Sequence, residues 1–479
     1  MNYRMISYVL GWIMVFEAAF MAVPLITAAV FAEGNSALWF GVSAAVCLVM
    51  GGLLILIKKP QNKRLFSREG FVIVALSWIL LSLFGALPLF LSGAIPSFID
   101  ALFETVSGFT TTGASILSDV EALPKSMIMW RSFTHWVGGM GVLVFIMAFL
   151  PLSGGQNMHI MKAESPGPSV SKLVPRVKTT ALLLYSIYFV LTLAEFVLLL
   201  CGGMTGFEAL NTAFATAGTG GFGFYNDSMA GFSPYIQIVV TVFMLLFSIN
   251  FNSYFFLLNR KFREAFNTEV VVFLIIVAAA IAILTFDNID LYPASGDALR
   301  HSAFTVASLI STTGFSTVDF NVWSELSRTI IIIIMFIGAC AGSTGGGIKV
   351  SRIIILFKSL GKELRVMVHP KQIKKIKIDK RPVEHETVRS VCTYMVAFIV
   401  VFVISLVVIS FENHDLITNF TAVTATINNI GPGLELVGPT ANFSFFSVPS
   451  KIVLIFDMLA GRLELFPMLM LFSPATWKK

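Results

Sequence analysis

The chain has 479 residues, of which 56% are hydrophobic and only 13% are charged. Soluble proteins carry about 25% charged residues, so this composition excludes a soluble multidomain enzyme and indicates a polytopic membrane protein. The formal net charge of +6 is less informative than the distribution of the charges along the chain.

Ten apolar runs are candidate membrane spans by length and composition. They cover residues 7–31, 37–57, 71–91, 126–150, 179–200, 235–258, 270–285, 329–357, 388–409 and 446–472. The first two form an N-terminal hairpin at 1–66, and the other eight fall into four repeats of helix, re-entrant loop and helix. The repeats occupy residues 67–157, 158–265, 266–370 and 371–479. The predicted fold is an all-α polytopic membrane protein with four membrane-pore-membrane repeats around one pseudo-four-fold pore.

One pattern of thirteen residues occurs once in each repeat. It reads ALFETVSGFTTTG at 101–113, ALNTAFATAGTGG at 209–221, SAFTVASLISTTG at 302–314 and NFTAVTATINNIG at 419–431. Each copy is too short to cross a bilayer, which needs about 20 residues. Backbone that leaves helical geometry at membrane depth is tolerated only where protein buries it or where it lines a water-filled cavity. The pattern therefore predicts four re-entrant half-helices, each followed by an extended turn, around a common pore.

The last three residues of each pattern, here called a triplet, are the predicted ion-coordinating residues. The glycine reaches positive φ, so the two residues before it can run extended and point their carbonyls toward one axis. Uncharged carbonyls and hydroxyls replace the hydration shell of a monovalent cation, whereas divalent ions usually require carboxylates. The triplets are Thr111, Thr112, Gly113; Thr219, Gly220, Gly221; Thr312, Thr313, Gly314; and Asn429, Ile430, Gly431.

Basic residues gather in the loops on one side of the predicted spans. They include Arg4, Lys58, Lys59, Lys63, Arg64, Arg68, Lys162, Lys172, Arg176, Lys178, Arg260, Lys261, Arg263, the group from Lys358 to Arg381, Lys478 and Lys479. This distribution predicts that both termini are cytoplasmic and that the pore loops open outward. Anionic lipid headgroups account for the basic loops without nucleic acid, and the segment 371–386 is also basic enough to dock a cytosolic partner.

The eighth predicted span is interrupted by seven small residues at 341–347, here called the glycine-rich segment. Its candidate gate residues are Gly342, Ser343, Thr344, Gly345, Gly346 and Gly347. Single glycines in membrane helices usually mark a kink or a close crossing, but seven small residues in a row exceed that need. We expect an intramembrane loop that lies across the pore below the triplets. A phosphate-binding loop is a poor fit, because Ile348 stands where that motif requires lysine.

Arg462 lies within the last predicted span, far from both ends. An arginine at mid-membrane costs about 2.5–3.5 kcal/mol on insertion scales, so it usually faces the bundle interior. One interpretation is a structural ion pair with Asp457 or Glu464, although neither has the three- or four-residue spacing of a helix pair. The other is a gate residue that repels a permeating cation and holds the pore shut together with the glycine-rich segment.

Acidic residues follow each triplet at nearly the same offset. Asp119, Asp227, Asp319 and Glu435 come six, six, five and four residues after their glycines. Such residues are often simply solvated, but the repeated offset predicts a negative outer mouth that concentrates cations. Among the other polar residues in apolar runs, Glu17, Glu195, Arg131 and His135 are weaker candidates, expected to be buried and paired. No nucleophile motif or dinucleotide fingerprint occurs, so we do not expect an enzyme.

Several motifs together resemble the Trk/Ktr/HKT superfamily of potassium transporters, and within it the bacterial TrkH family. They are TTTG at 110–113, GACAGSTGGGIKV at 338–350, GRLELF at 461–466, SREGF at 67–71, GGMG at 138–141, KAESPGP at 162–168 and NNIGPGL at 428–434. The resemblance extends essentially from end to end and also includes the N-terminal hairpin.

The resemblance implies a homodimer that takes up K⁺ across the inner membrane through one pore per protomer, with K⁺ bound by the residues preceding the triplet glycines. It also implies a cytosolic ring of TrkA-like subunits that binds nucleotide, so that this chain itself carries none, and that docks on the basic loop at 358–381. Two alternatives stay open: a symporter in which Na⁺ or H⁺ drives K⁺, and the ion-conducting subunit of an ATP-driven pump.

Overall fold

The computed structural model describes residues 1–57, 66–139, 141, 177–370, 375–379 and 381–478. The predicted repeat boundary after residue 157, the KAESPGP stretch and residues 371–374 of the basic loop lie outside this described part. Within it the chain is helical except for turns and one small hairpin. In that hairpin β1 (Lys377–Ile378) pairs antiparallel with β2 (Arg381–Pro382).

The described part of the chain contains twenty-one α-helices. The N-terminal hairpin contains α1 (Tyr3–Phe20), α2 (Ala22–Val30) and α3 (Gly34–Ile57). The first predicted repeat contains α4 (Ser67–Gly85), α5 (Leu87–Leu91), α6 (Phe98–Phe109) and α7 (Lys125–Gly139). The second contains α8 (Val177–Cys201), α9 (Gly206–Gly218), α10 (Pro234–Ser248), α11 (Phe251–Leu258) and α12 (Phe262–Ala265).

The second half of the chain also contains both long and short helices. The third predicted repeat contains α13 (Thr268–Asp287), α14 (Ser295–Ile310), α15 (Glu325–Ile337) and α16 (Val350–Val368). The fourth contains α17 (His385–Ile409), α18 (Leu416–Ile427), α19 (Val448–Arg462), α20 (Phe466–Phe472) and α21 (Pro474–Trp477). Short 3₁₀ turns lie at Ile289–Leu291, Phe320–Val322, Ser410–Glu412 and Glu435–Val437.

Six helices of the described part are long and apolar enough to cross a membrane. They are Tyr3–Val30, Gly34–Leu56, Ser67–Leu91, Ala181–Cys201, Thr268–Asp287 and His385–Glu412. The prediction of a continuous span is wrong at 235–258 and 446–472, because each of these runs is broken. Thus α10 and α11 meet at a bend of 93°. The predicted interruption of the run 329–357 is observed, since α15 ends at Ile337 and α16 begins at Val350. The predicted span 126–150 is described only as far as α7 and Gly141.

The breaks have different causes in the sequence. Residues 338–349 between α15 and α16 contain five glycines, which are poor helix formers. The break after α19 has no such signal: Glu464 and Leu465 adopt left-handed backbone with φ of 57° and 65°. Left-handed backbone is unfavourable for residues with a Cβ and persists only where surrounding structure holds it. Arg462 is therefore the last residue of a helix rather than the middle of a span.

Short polar residues determine where the short helices begin. The Ser97 hydroxyl accepts a hydrogen bond from the Asp100 amide at the start of α6, and Asp415 accepts one from Thr418 at the start of α18. At the start of α9, Thr205 and Glu208 form a reciprocal capping box. These caps satisfy amide groups that a helix terminus otherwise leaves unpaired.

The N-terminal hairpin packs closely on itself and on the first repeat. A Cβ placed on Gly11 would lie 2.8 Å from the Gly51 carbonyl oxygen, and one on Gly51 would lie 2.7 Å from that of Gly11. Small residues at such a crossing let two membrane helices approach through their backbones. Helix α1 also packs against α4, so the hairpin flanks the first repeat.

Candidate functional site

The four triplets lie beside one another and form a closed ring. A Cβ placed on each triplet glycine would collide with the carbonyl oxygen of the middle residue of a neighbouring triplet. For Gly113, Gly221, Gly314 and Gly431 in turn, the oxygens approached belong to Gly220, Thr313, Ile430 and Thr112, at 2.1, 2.0, 2.2 and 2.8 Å. The contacts run from the first triplet to the second, third and fourth and back to the first. Segments from four quarters of the chain therefore meet in one ring of contacts.

The backbone of the triplets is left-handed at alternate residues. The glycines have φ between 74° and 99°, as the sequence predicts. The first residue of each triplet is left-handed as well, so the expectation that both residues before the glycine run extended is wrong. These first residues are Thr111, Thr219, Thr312 and Asn429, with φ of 55°, 55°, 61° and 54°. Such backbone costs about 1–3 kcal/mol per residue and clusters at functional sites.

The reason for this conformation is the way each short helix ends. The amide of the middle triplet residue donates back to the carbonyl five residues earlier, which is the bond of a Schellman helix end. The four bonds are Thr112 to Ser107, Gly220 to Ala215, Thr313 to Ser308 and Ile430 to Ala425, at 2.9, 2.9, 2.9 and 2.8 Å. The partly negative ends of four helices therefore lie beside the ring, where they favour a cation.

The second triplet has the same register as the other three. Thr219 and Gly221 carry left-handed φ, as Thr111 and Gly113 do. Gly220 consequently occupies the position of Thr112 in the first triplet. The additional glycines of the second pattern therefore add no residue to the turn.

The loops that follow the triplets are connected in the same cyclic order. The Val120 amide donates to the Asn226 side chain at 2.8 Å, and the Met229 amide donates to the Ser316 carbonyl at 2.9 Å. The Glu435 amide donates to the Asn321 side chain at 2.9 Å, and the Phe443 amide donates to the Ser115 carbonyl at 2.8 Å, which closes the circle. A second ring of contacts thus supports the triplets from one side.

The predicted acidic residues lie in these loops, but their environments differ. Asp119 accepts a hydrogen bond from the Asn226 amide group at 2.9 Å, which holds the pKa of Asp119 below its ordinary value. Asp319 accepts one from the Asn321 amide at 3.0 Å, and Asp227 is exposed. Glu435 forms an ion pair with Arg328. We therefore expect Glu435 to add less negative potential than the other three carboxylates.

The glycine-rich segment lies directly against the third and fourth triplets. The Gly346 amide donates to the Thr312 hydroxyl at 2.6 Å. A Cβ on Gly346 would lie 2.4 Å from the Asn428 carbonyl oxygen, and one on Gly345 would lie 2.7 Å from that of Ser311. Side chains at these two positions would push the segment away, so its composition follows from its location.

Residues at the break between α10 and α11 form hydrogen bonds with the start of the glycine-rich segment and with the residue just before it. The Cys340 amide donates to the Ser248 carbonyl at 3.1 Å, and the Phe251 amide donates to the Gly342 carbonyl at 3.0 Å. The peptide groups freed by one helix break are thus paired with those freed by the other. Such pairing is needed at membrane depth, where water does not solvate exposed peptide groups.

Arg462 connects three parts of the chain. Its guanidinium donates to the Thr344 carbonyl of the glycine-rich segment at 2.7 Å. It also donates to the Gly138 and Gly139 carbonyls at the end of α7, at 2.5 and 2.8 Å. The two carboxylates that the sequence suggested as partners have other contacts: Asp457 accepts a hydrogen bond from Ser405, and Glu464 forms an ion pair with Arg352. The positively charged guanidinium of Arg462 is therefore bound by carbonyl oxygens from two distant parts of the chain.

Two residues of this region were missed by the sequence analysis. Lys349 is buried, has a φ of 82°, and its ammonium group donates to the Gly345 carbonyl. The Glu269 carboxylate accepts hydrogen bonds from the Ala341 and Ser351 amides, at 2.7 and 3.1 Å, and so connects the start of the glycine-rich segment with the start of α16. The only possible signal was a charged residue beside an apolar run, which is common at the ends of membrane helices.

The weaker sequence candidates are all buried, and two of them contact backbone within or just beyond the second triplet. Arg131 forms an ion pair with Glu104 at 2.8 Å, as expected of a paired charge. Its guanidinium also donates to the Gly223 carbonyl, just beyond the second triplet. His135 contacts the same stretch of backbone. Glu17 and Glu195 are fully buried.

The chain is similar to known cation transport proteins along most or all of its length. The family model described as "TrkH: Cation transport protein" matches residues 40–479. Proteins named Trk system potassium uptake protein TrkH from Halomonas elongata and from Escherichia coli K12 are each 35% identical, with 100% of both chains covered. The crystal structure of the potassium transporter TrkH from Vibrio parahaemolyticus superposes with a TM-score of 0.89 at 32% identity, again covering 100% of both chains. This chain therefore belongs to the TrkH family of cation transport proteins.

Proposed function

We propose that this chain takes up K⁺ through the passage enclosed by the four triplets, as part of a bacterial Trk system in the inner membrane. The observation that carries the proposal is the closed ring of uncharged, carbonyl-bearing triplets. Relatives named as potassium uptake proteins match from end to end. K⁺ is then the transported ion, and no nucleotide is assigned to this chain.

The chemistry of the ring favours a monovalent cation. None of its twelve residues is charged, so the ligands offered to an ion are carbonyl and hydroxyl oxygens. These oxygens replace part of a hydration shell, whereas Mg²⁺ and Ca²⁺ sites usually contain carboxylates. The helix ends beside the ring add partial negative charge and disfavour anions.

We further propose that the glycine-rich segment and Arg462 form the gate. The segment packs against two triplets, and Arg462 ties it to α7 through the Thr344, Gly138 and Gly139 carbonyls. Opening the pathway would require these contacts to break. A guanidinium below the ring also repels an incoming K⁺, because two like charges in a region of low dielectric interact strongly.

The basic loop offers a connection between a cytosolic partner and this gate. In its hairpin, Asp379 accepts hydrogen bonds from the Thr268 amide and hydroxyl at 2.8 and 2.6 Å, and Lys358 of α16 donates to the Lys377 carbonyl at 2.8 Å. Glu269, the next residue of α13, accepts hydrogen bonds from the start of the glycine-rich segment and from the start of α16. Displacement of the hairpin would therefore act on both helices that flank the gate.

We propose that a nucleotide-binding TrkA-like ring docks on this loop and that two copies of the chain form the homodimer that it contacts. Both termini and the loop then lie in the cytoplasm, as the distribution of basic residues predicts. Charged groups at an interface mainly determine partner choice and the rate of association.

Removing three positive charges in and beside the β1–β2 hairpin should weaken stimulation by such a partner. Lys375, Lys377 and Arg381 are exposed, so their replacement with alanine should not disturb packing. In a K⁺-auxotrophic strain, we expect uptake by the triple variant alone to match that of the parent. Its stimulation by the TrkA-like subunit should fall by about tenfold or more.

The matched control keeps the charge by replacing Lys375 and Lys377 with arginine, and it should retain stimulation. Rb⁺ and Na⁺ serve as competitors in the same assay. Full stimulation of the alanine variant would remove the docking role from this loop. If the parent took up neither K⁺ nor Rb⁺ in the presence of the partner, the proposed function itself would be refuted.

Neutralising the outer acidic residues should lower uptake only when salt is low. With Asp119, Asp227 and Asp319 all replaced by asparagine, we expect the initial rate at low ionic strength to fall by about tenfold. The Debye length shrinks from about 30 Å at 0.01 M salt to about 3 Å at 1 M, so the difference should vanish at high salt. Glu435→Gln is the control with a smaller effect, because Arg328 already compensates that charge. An equal loss at both salt concentrations would show that these residues do not concentrate cations.

A further inference from the structure

The second triplet differs from the others in lacking a side chain at its middle position. Thr112, Thr313 and Ile430 occupy this position in the first, third and fourth triplets, whereas the second has Gly220. Gly220 has no left-handed φ, so its backbone does not require glycine. The absence of a side chain must therefore have another cause.

His135 of α7 occupies the space that a side chain at position 220 would need. A Cβ placed on Gly220 would lie 2.3 Å from both Cγ and Nδ1 of His135 and 2.5 Å from its Cε1. A Cβ on Gly218 would lie 2.2 Å from the His135 carbonyl oxygen. Both glycines are thus explained by the close approach of α7. The imidazole, which is fully buried, replaces the missing side chain.

Both nitrogens of this imidazole contact backbone that positions the ring of triplets. Nδ1 donates to the Gly108 carbonyl of α6 at 2.7 Å, and Nε2 accepts from the Phe222 amide at 3.2 Å. Phe222 directly follows Gly221. A neutral imidazole with its proton on Nδ1 satisfies both contacts, because a ring nitrogen without a proton is the one that accepts. His135 therefore links the first short helix to the end of the second triplet.

Arg131, one helical turn earlier on α7, supports the same stretch of backbone. Its guanidinium donates to the Gly223 carbonyl at 3.1 Å and lies 4.1 Å from the centre of the Phe222 ring. The charge of Arg131 is balanced by Glu104 at 2.8 Å. The second triplet is thus held from outside its own repeat, by a helix of the first.

We propose that His135 is a positioning residue for ion selectivity, with its imidazole taking the place of a side chain at Gly220 and fixing the Gly221–Phe222 backbone. This inference rests on the proposed role of the triplets as the ion-coordinating ring. Selectivity between K⁺ and Na⁺ depends on where the coordinating oxygens are held and how firmly. The second triplet is therefore positioned by the imidazole of His135 instead of by a side chain at position 220.

The test is a double-mutant cycle between His135 and Gly220, measured as the ratio of Rb⁺ to Na⁺ flux into vesicles containing the purified full chain. Gly220→Ala should lower this ratio by about tenfold, because the new methyl group overlaps the imidazole. His135→Ala should also lower it. In a chain that already carries His135→Ala, the change Gly220→Ala should lower the flux ratio far less than it does in the parent, because the imidazole that the methyl group would overlap is absent. Independent, multiplicative effects of the two changes would overturn the inference.

Two conservative variants separate positioning from mere packing. His135→Gln keeps an acceptor that can reach the Phe222 amide, whereas His135→Asn keeps a donor near the Gly108 carbonyl but loses that acceptor. We expect Gln to retain most of the flux ratio and Asn to lose it, even where the two proteins have equal melting temperatures. Equal flux ratios in the two variants would contradict the proposal. This comparison decides the question if His135→Ala fails to accumulate in the membrane.

A parallel variant distinguishes failure of this inference from failure of the proposed ring. Gly221→Ala places a methyl group 2.0 Å from the Thr313 carbonyl oxygen, and the three atoms nearest to this methyl group belong to the third triplet rather than to His135. If Gly221→Ala leaves the Rb⁺ to Na⁺ ratio unchanged, the ring itself is not the selective element. If it changes the ratio while His135 and Gly220 act independently, the ring stands and the role of His135 is refuted.

Discussion

Gly113→Ala should reduce K⁺ uptake by at least about tenfold and lower the preference for K⁺ over Na⁺. Gly113 has a φ of 82°, which costs a residue with a Cβ about 1–2 kcal/mol. The added methyl group would also lie 2.1 Å from the Gly220 carbonyl oxygen, far inside van der Waals contact. Either the first or the second triplet must move, and the ring loses its geometry. Rates of Rb⁺ and Na⁺ flux into vesicles measure both effects.

Gly93→Ala is the matched control for this prediction. Gly93 has a similar φ of 77°, but a Cβ there would have no atom within 4 Å. This variant therefore carries the same backbone strain without the collision, and its uptake and selectivity should match those of the parent. If Gly93→Ala reduced uptake and selectivity as much as Gly113→Ala, backbone strain would explain the loss and the contact between triplets would not.

Arg462→Ala should raise basal ion flux in reconstituted vesicles without the cytosolic partner. The guanidinium donates hydrogen bonds to carbonyls of the glycine-rich segment and of α7. A hydrogen bond to a charged group contributes about 1.5–3 kcal/mol, so losing one closed-state bond shifts the closed-to-open equilibrium by about ten- to hundredfold. Removing the positive charge also lowers the barrier to an entering cation.

Lys451→Ala provides a control on the same helix. Lys451 lies near the start of α19, where it pairs with Asp100 at 2.6 Å, and it is remote in sequence from the break. Its replacement should leave basal flux unchanged. Unchanged or lower flux in Arg462→Ala would indicate that the arginine only satisfies the carbonyls at the end of α7, which is a structural role.

The membrane class and the four short helices that end in the triplets could be predicted from the sequence because their signals are local. Apolar runs identify membrane segments, and a short run that ends in small residues and glycine cannot cross a bilayer. Its fourfold recurrence predicted that the four copies come together, and they do so through the contacts at Gly113, Gly221, Gly314 and Gly431. The glycine-rich segment could be predicted for the same reason, because seven small residues in a row are a local signal.

Other features depend on contacts between distant segments, and the sequence could not show them. The left-handed backbone of Thr111, Thr219 and Thr312 contradicts the preference of β-branched residues and is explained by the helix ends that precede them. The break at Glu464 and Leu465 occurs in residues that normally favour helix. The lack of a side chain at Gly220 is explained by His135, which lies 85 residues earlier in the chain but beside Gly220 in the fold.

The most direct test is to locate the ion by anomalous diffraction from crystals of the chain grown with Tl⁺ or Rb⁺ in place of K⁺. The expected result is a peak on the axis of the ring, within coordination distance of carbonyl oxygens from all four triplets. Anomalous peaks found only elsewhere, with the space between the triplets empty at saturating ion, would contradict the proposal that these four turns conduct K⁺ together.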